Sequence, residues 1–202
     1  MALELGKRTV AKRQLATAIE LLFSGRDTVS VYSLATNAWE VIDVLCRLAG
    51  VESFSVQARG NIPEGKDLKR NYINSPHRNF FKHADGDPNE TLPPLPDAQV
   101  DGVLFMAVED YIRLNQQSPT QFQVFQLWYI ATNPARLDPN VAVEVLSGAN
   151  EMFPGIIGMS RTQQLTEGAR MLQRAATDAD VLAVVSQDVV PVEAEASSWR
   201  LH

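Results

Sequence analysis

The sequence predicts an all-α bundle of about seven or eight helices, and three observations carry that expectation. Apolar residues recur at three- and four-residue spacing along most of the 202 positions. Residues that start and stop helices bracket those runs, and no segment alternates convincingly as a strand would. A chain of this length buries a sizeable core. One helical domain over residues 1–177 is expected, followed by a partly ordered C-terminal tail or docking arm over 178–202.

Helix one is expected over roughly Thr9 to Ser24, where Ala11, Leu15, Ala18, Ile19 and Leu22 form the stripe and Gly25 marks the stop. A second helix over about Val29 to Ala49 turns Val31, Leu34, Ala35, Ala38, Val41, Ile42, Leu45 and Leu48 to one side and ends at Gly50. The connection between the two is short, which makes them an antiparallel hairpin. From Val51 to Glu64 the period is lost, and Gly60, Pro63 and Gly65 read as a connecting loop. A short helix is expected near Lys66 to Ile73.

Ser75 and Pro76 then supply an N-cap side chain and a proline at a first helical position. The helix they start carries Arg78 in its first turn, and Gly86 and Pro88 end it just after His83. Pro88, Pro93, Pro94 and Pro96 make Asp85 to Pro96 a loop. Asp97 is read as the cap of a helix over Ala98 to Asn115, with Val100, Val103, Leu104, Ala107, Val108 and Tyr111 inward. Ser118 and Pro119 start another helix, whose run from Phe122 to Ile130 is apolar around much of its circumference and belongs in a core or an interface. Two final helices are expected near Asn140 to Met152, after Asp138 and Pro139, and near Arg161 to Thr177, after Ser160.

The formal net charge of −6 argues against a surface that holds long nucleic acids nonspecifically, because that affinity comes from clustered Lys and Arg. Positive charge gathers locally at Lys66, Lys69, Arg70, Arg78 and Lys82, which suits a short RNA or, equally, a solvated helix face. The single cysteine, Cys46, falls among apolar residues and reads as a small buried hydrophobe in a reducing compartment. No signal peptide or membrane-length apolar run is evident, so a soluble cytoplasmic protein with no membrane association is expected.

The segment Arg78, Asn79, Phe80, Phe81, Lys82, His83 holds the chemistry. A guanidinium matches the paired oxygens of a phosphate, and an imidazole moves protons near neutral pH. On one α-helix the two side chains would project about 140 degrees apart, so they meet on one phosphate only around a helix end or through a second copy of the chain. Asn79 and His83, four residues apart, share a face, where the amide can orient the imidazole or donate to a ligand oxygen.

This spelling resembles the motif of the HEPN superfamily, the all-helical higher eukaryotes and prokaryotes nucleotide-binding proteins. In them an arginine, a polar residue and three to five further positions lead to a histidine. The hairpin from Gln14 to Leu45, with Ala18, Leu22, Ser30, Leu34, Ala38 and Glu40, is similar to the opening helix pair of such domains. The resemblance implies a homodimeric, metal-independent endoribonuclease with no cofactor. Arg78 would hold the scissile phosphate, His83 would act as general acid or base, and Asn79 would complete the site. The RNA 2′-hydroxyl would attack to leave a cyclic phosphate, and Lys69, Arg70 and Lys82 would bind the strand. Asp85 stands where some toxin members carry a modifiable tyrosine, so regulation by that route is not implied.

Two other readings accompany this one. In the first the protein is a non-catalytic helical interaction or dimerisation module. Arg78 then pairs with Asp85 or Asp87, and His83 bonds a carbonyl at its helix end. In the second, the acidic turn binds a metal through His83, Asp85 and Asp87, with His77 or Asp101 added by folding. Asp85, Asp87 and Asn89 alternate like the first ligands of a calcium loop, but Glu90 stands where a glycine is needed and Pro96 where a bidentate glutamate belongs. The turn chemistry of Asp, Gly, Pro and Asn explains that stretch without a ligand. No phosphate loop, dinucleotide fingerprint, serine elbow or Cys–His pair is present.

Overall fold

The structure, a computed structural model, describes residues 5–86, 88–136 and 143–177. Among these residues there are eight α-helices and no strand: α1 (Lys7–Phe23), α2 (Thr28–Ala49), α3 (Phe54–Gly60), α4 (Asn79–Lys82), α5 (Asp97–Asn115), α6 (Thr120–Thr132), α7 (Val143–Met152) and α8 (Arg161–Ala175). A π-helical segment, Leu68–Arg78, broken by a kink at Ser75, precedes α4. The expected tail over 178–202 lies outside the described residues.

The hairpin forms as its sequence dictates. Asp27 caps α2 by accepting from the backbone N–H of Val29 at 3.3 Å and of Ser30 at 2.9 Å, which satisfies donors the first turn cannot. Gly50 ends α2 at φ +66°, a left-handed turn that glycine adopts without a steric penalty. The expected stripe of α1 is buried, and that of α2 is buried or partly so, with Leu34, Val41 and Leu45 half-buried, save for one residue. Leu48, in the last turn of α2, is 80% exposed, and Tyr32, Trp39 and Cys46 extend the buried face instead.

Helix α2 packs between α1 and α5. On α5 every residue from Val103 to Leu114 is buried, including Glu109, Asp110 and Arg113. The sequence reading placed only its apolar positions inward. Buried charges need partners, and α5 has them. Asp110 accepts from Ser55 through its backbone N–H at 3.0 Å and its hydroxyl at 2.5 Å. Trp39 Nε1 donates to that same hydroxyl at 2.7 Å, and Gln126 Nε2 donates to Glu109 at 2.5 Å.

Two local expectations are corrected. Residues 51–64 are not wholly loop: Ser53 caps the seven-residue α3 by accepting from Val56 N at 3.2 Å, and Phe54 and Ala58 enter the core. Asp97 does not cap α5. Pro96 occupies that position, and Asp97 lies in the first turn with its carboxylate 3.5 Å from Arg161 Nε. The expected start at Ser75 and Pro76 holds: Ser75 has extended backbone (φ −103°, ψ 137°) that breaks the helical run, and a second helical stretch opens at Pro76 and carries Arg78 in its first turn.

The second half closes the core. Trp128 of α6 is fully buried and donates to Gln164 O at 2.8 Å, while Arg161 stacks over its ring at 5.2 Å. Ser160 and Gln163 form a reciprocal capping box at the start of α8. Gly168 lets α8 rest on the Phe23 ring, since a Cβ there would lie 2.3 Å from it. Phe23 is itself wedged against Trp128, centroids 5.3 Å apart. A Gly168→Ala variant should therefore lose about 1–3 kcal/mol in a denaturant melt, although alanine is the better helix former.

Burial pushes the Asp110 carboxyl up to about 7, against the lowering effect of the Ser55 bonds. An acid that holds its proton more tightly folded than unfolded contributes most at low pH, and that contribution is lost as pH rises from the unfolded value near ~3.9 toward the folded one. The stability difference between the parent and Asp110→Asn, measured by urea unfolding, should therefore shift against the parent between about pH 4 and 7 and stay level above that range.

Candidate functional site

The π-helical segment lies against α2 and continues directly into α4, which places the motif beside the N-terminal hairpin. Tyr32 of α2 helps fix this junction, donating its hydroxyl to Ile73 O at 2.8 Å. Arg78 is only 6% exposed. Its Nη1 donates to Asn74 Oδ1 at 2.9 Å, and its Nη2 donates to Asn37 Oδ1 at 3.2 Å and to Glu40 Oε2. The partner of Arg78 is thus Glu40 on α2, not Asp85 of the acidic turn. Asp87 lies outside the described residues.

Glu40 also accepts from Lys69 Nζ through its other oxygen. One carboxylate therefore binds two cations that flank the extended backbone at Ser75. The Lys69 bond, with Arg78 adding to it, holds the Glu40 carboxyl below the ordinary range against the opposing effect of burial. Lys69, expected to bind substrate, spends its charge inside the protomer. Arg70 is exposed, and its backbone N–H donates to Asp67 Oδ1 at 2.7 Å. Lys82 is exposed as well, and partial burial followed by the Arg78 charge lowers its ammonium pKa.

Helix α4 ends at Lys82. His83 follows as its C-cap with extended backbone (φ −128°, ψ 121°), its N–H donating to Asn79 O at 3.0 Å. The 140-degree projection expected for Arg78 and His83 does not apply, because the chain leaves the helix at the histidine. The His83 side chain is exposed and makes no hydrogen bond among the described residues, so it does not bond a carbonyl there. Asn79 is exposed on the same short turn. The motif therefore divides, with Arg78 buried on α2 and Asn79, Lys82 and His83 facing solvent.

Phe81 packs on the core, with its ring 6.3 Å from Tyr32, while Phe80 is half-buried against it. His77 is buried between Tyr32 and Phe81, and neither ring nitrogen has a hydrogen-bond partner among the described residues. Asp101, the other residue considered as an added metal ligand, receives both terminal nitrogens of Arg161 at 2.7 Å. The fold thus commits His77 and Asp101 elsewhere. Among the described residues no three His, Cys, Asp or Glu side chains gather as a metal-binding group.

The sequence reading missed Asn37 and Asn74 as partners of Arg78. Asn37 and Glu40 are three residues apart on α2, a spacing that puts them on one helical face, and that pair was the available signal. Asn74 and Arg78 lie on either side of the break at Ser75, so helical spacing did not announce their bond.

No family model, curated protein or solved structure matches the chain. No helix among the described residues is long and apolar enough to cross a membrane.

Replacing Glu40 with glutamine should leave the buried Arg78 without a counter-charge. Because Glu40 is itself about one-third exposed, the expected loss is about 1–2 kcal/mol, below that of a fully buried pair. The sign with pH is the usual carboxylate one: the stabilisation is present above the unfolded pKa near ~4.3 and disappears as pH falls through the lower folded value. Urea midpoints of parent and Glu40→Gln should converge in acid and separate at neutral pH.

Proposed function

We propose that this chain is a HEPN-like protein that cleaves RNA without a metal at a site built from two copies of its motif. The observation that supports this reading is the division of the motif. Asn79 at the start of α4 and His83 just after its end are both exposed on one short turn, while Arg78 is tied to the hairpin by Glu40 and Asn37. His83 is the proton-transfer residue. It takes the proton of a ribose 2′-hydroxyl as that oxygen attacks phosphorus, or gives one to the departing 5′-oxygen, and a cyclic phosphate remains. Asn79 orients the imidazole or donates to a phosphate oxygen, while Arg70 and Lys82 supply positive charge to the strand.

Arg78 contributes by exchanging one oxyanion for another. Its planar fork binds a carboxylate or a phosphate in the same geometry, so phosphate engagement requires Glu40 to yield. The second copy relieves the single protomer of having to bring both groups to one atom.

A second reading rests on a specific observation. Arg78 is nearly fully buried and has three side-chain oxygens as acceptors already, which suits a clamp in a non-catalytic interaction module.

One experiment separates them. Purified protein is incubated with single-stranded RNA in EDTA, and products are resolved with their terminal phosphates. The nuclease reading expects cyclic phosphate ends and a loss of about 10²–10⁴-fold in His83→Ala, with melting temperature unchanged because the side chain is exposed. Intact RNA with the parent protein, or equal cleavage by the variant, would sink it and leave the module reading.

A further inference from the structure

A cavity of about 450 Å³ lies between α3, the π-helical segment, α5 and Tyr129 of α6, on residues the motif does not use. That volume is within the range of small-molecule sites. Its walls are largely apolar: Leu68 and Ile73 come from the π-helical segment, and Val103 and Met106 from α5. The uncharged polar residues Asn71, Ser75 and Gln99 also line it, and Gly102, Tyr129 and Arg136 stand together at its charged end.

That end has an unusual inventory of donors. Arg136 Nη1 donates to the Tyr129 hydroxyl oxygen at 3.1 Å, and among the described residues Arg136 makes no ion pair. Asp101, the acid whose charge acts on it, has both oxygens engaged by Arg161 at 2.7 Å. Tyr129 is 4% exposed, and its ring is fixed by stacking on Phe105 at 4.1 Å between centroids. Its hydroxyl accepts from Arg136, yet its own proton has no acceptor among the described residues, and burial holds the phenol protonated. Gly102 leaves bare backbone beside them: a Cβ there would sit 3.9 Å from both Arg136 Nη1 and the Tyr129 hydroxyl.

An apolar chamber with a guanidinium and an unspent hydroxyl proton at one end complements one kind of molecule. We propose that this cavity binds a small amphipathic carboxylate, with its apolar body against Leu68, Ile73, Val103 and Met106 and its carboxylate on Arg136 and Tyr129. The guanidinium fork offers its remaining N–H groups to one carboxylate oxygen, and the tyrosine hydroxyl donates to the other. A phosphate monoester fits less well, because a dianion needs more donors than one arginine and one hydroxyl provide. The site is independent of the RNA-cleavage reading.

The test uses the full chain and two probes of equal length, octanoate and octan-1-ol, followed through the methyl signal of Met106 by NMR. Octanoate should shift that signal saturably, and octan-1-ol should bind at least about tenfold more weakly, the loss expected when a charge-assisted contact is missing. Arg136→Gln should cost octanoate a similar factor and leave octan-1-ol unchanged. Tyr129→Phe, which keeps the ring, should weaken octanoate alone, and Gly102→Leu should abolish binding of both by filling the charged end. No movement of the Met106 signal, equal binding of the two probes, or an Arg136→Gln variant that binds octanoate as the parent does would overturn the proposal.

Discussion

Helix α2 lies between α1 and α5, and the polar groups it carries into that position must be matched from elsewhere in the chain. That requirement arranges the first half of the molecule. Trp39 reaches Ser55 and, through it, Asp110, which joins α2, α3 and α5 in one buried network. Asp43 draws in Arg59 at 2.8 Å and secures the far side of α3. Tyr32 holds the middle of the π-helical segment through Ile73 O, and Glu40 holds its two ends through Lys69 and Arg78. Hydrophobic burial drives the hairpin onto α5, but these few polar matches decide which later segments attach and in what register.

The same requirement explains why the motif is split. Arg78 meets α2 at the one place where a carboxylate and an amide lie three residues apart, and its guanidinium is consumed there. The chain then has a single short helix before the proline-rich stretch, so the residues that follow are left at the surface. Burial of the arginine and exposure of the histidine are thus consequences of one packing event. For the RNA-cleavage reading, Glu40 becomes the group that sets how readily Arg78 is released to a phosphate.

Most of the fold was legible because long amphipathic helices declare themselves by period, as α1, α2, α5 and α8 do, while α6 was marked by Ser118, Pro119 and its largely apolar run. What escaped was governed by tertiary context. Helix α3 is only seven residues long, and the glycines and proline after it dominated its local signal. Its one clear marker was Ser53, whose cap means little until Phe54 and Ala58 have a core to enter. On α5, Glu109, Asp110 and Arg113 were not among the residues read as inward, since nothing local announces that Gln126, Ser55 and the neighbouring helices will surround them. The candidate site was legible as a motif, but its partners were not. Asn37 and Glu40 gain meaning only when a segment thirty to forty residues later docks on them.

Cys46 is the chain's single thiol, and it is 1% exposed on α2 where that helix meets α5, with its sulfur 3.6 Å from Asp110 O. Burial, reinforced by the nearby Asp110 charge, pushes its pKa up to about 12, so the reactive thiolate is scarce while the interface is closed. Separation of α2 from α5 returns the thiol to water and to an ordinary acidity. The molecule therefore carries a built-in clock for its own core: the rate at which a thiol reagent modifies the protein reports the opening of that interface, with no cysteine introduced for the purpose.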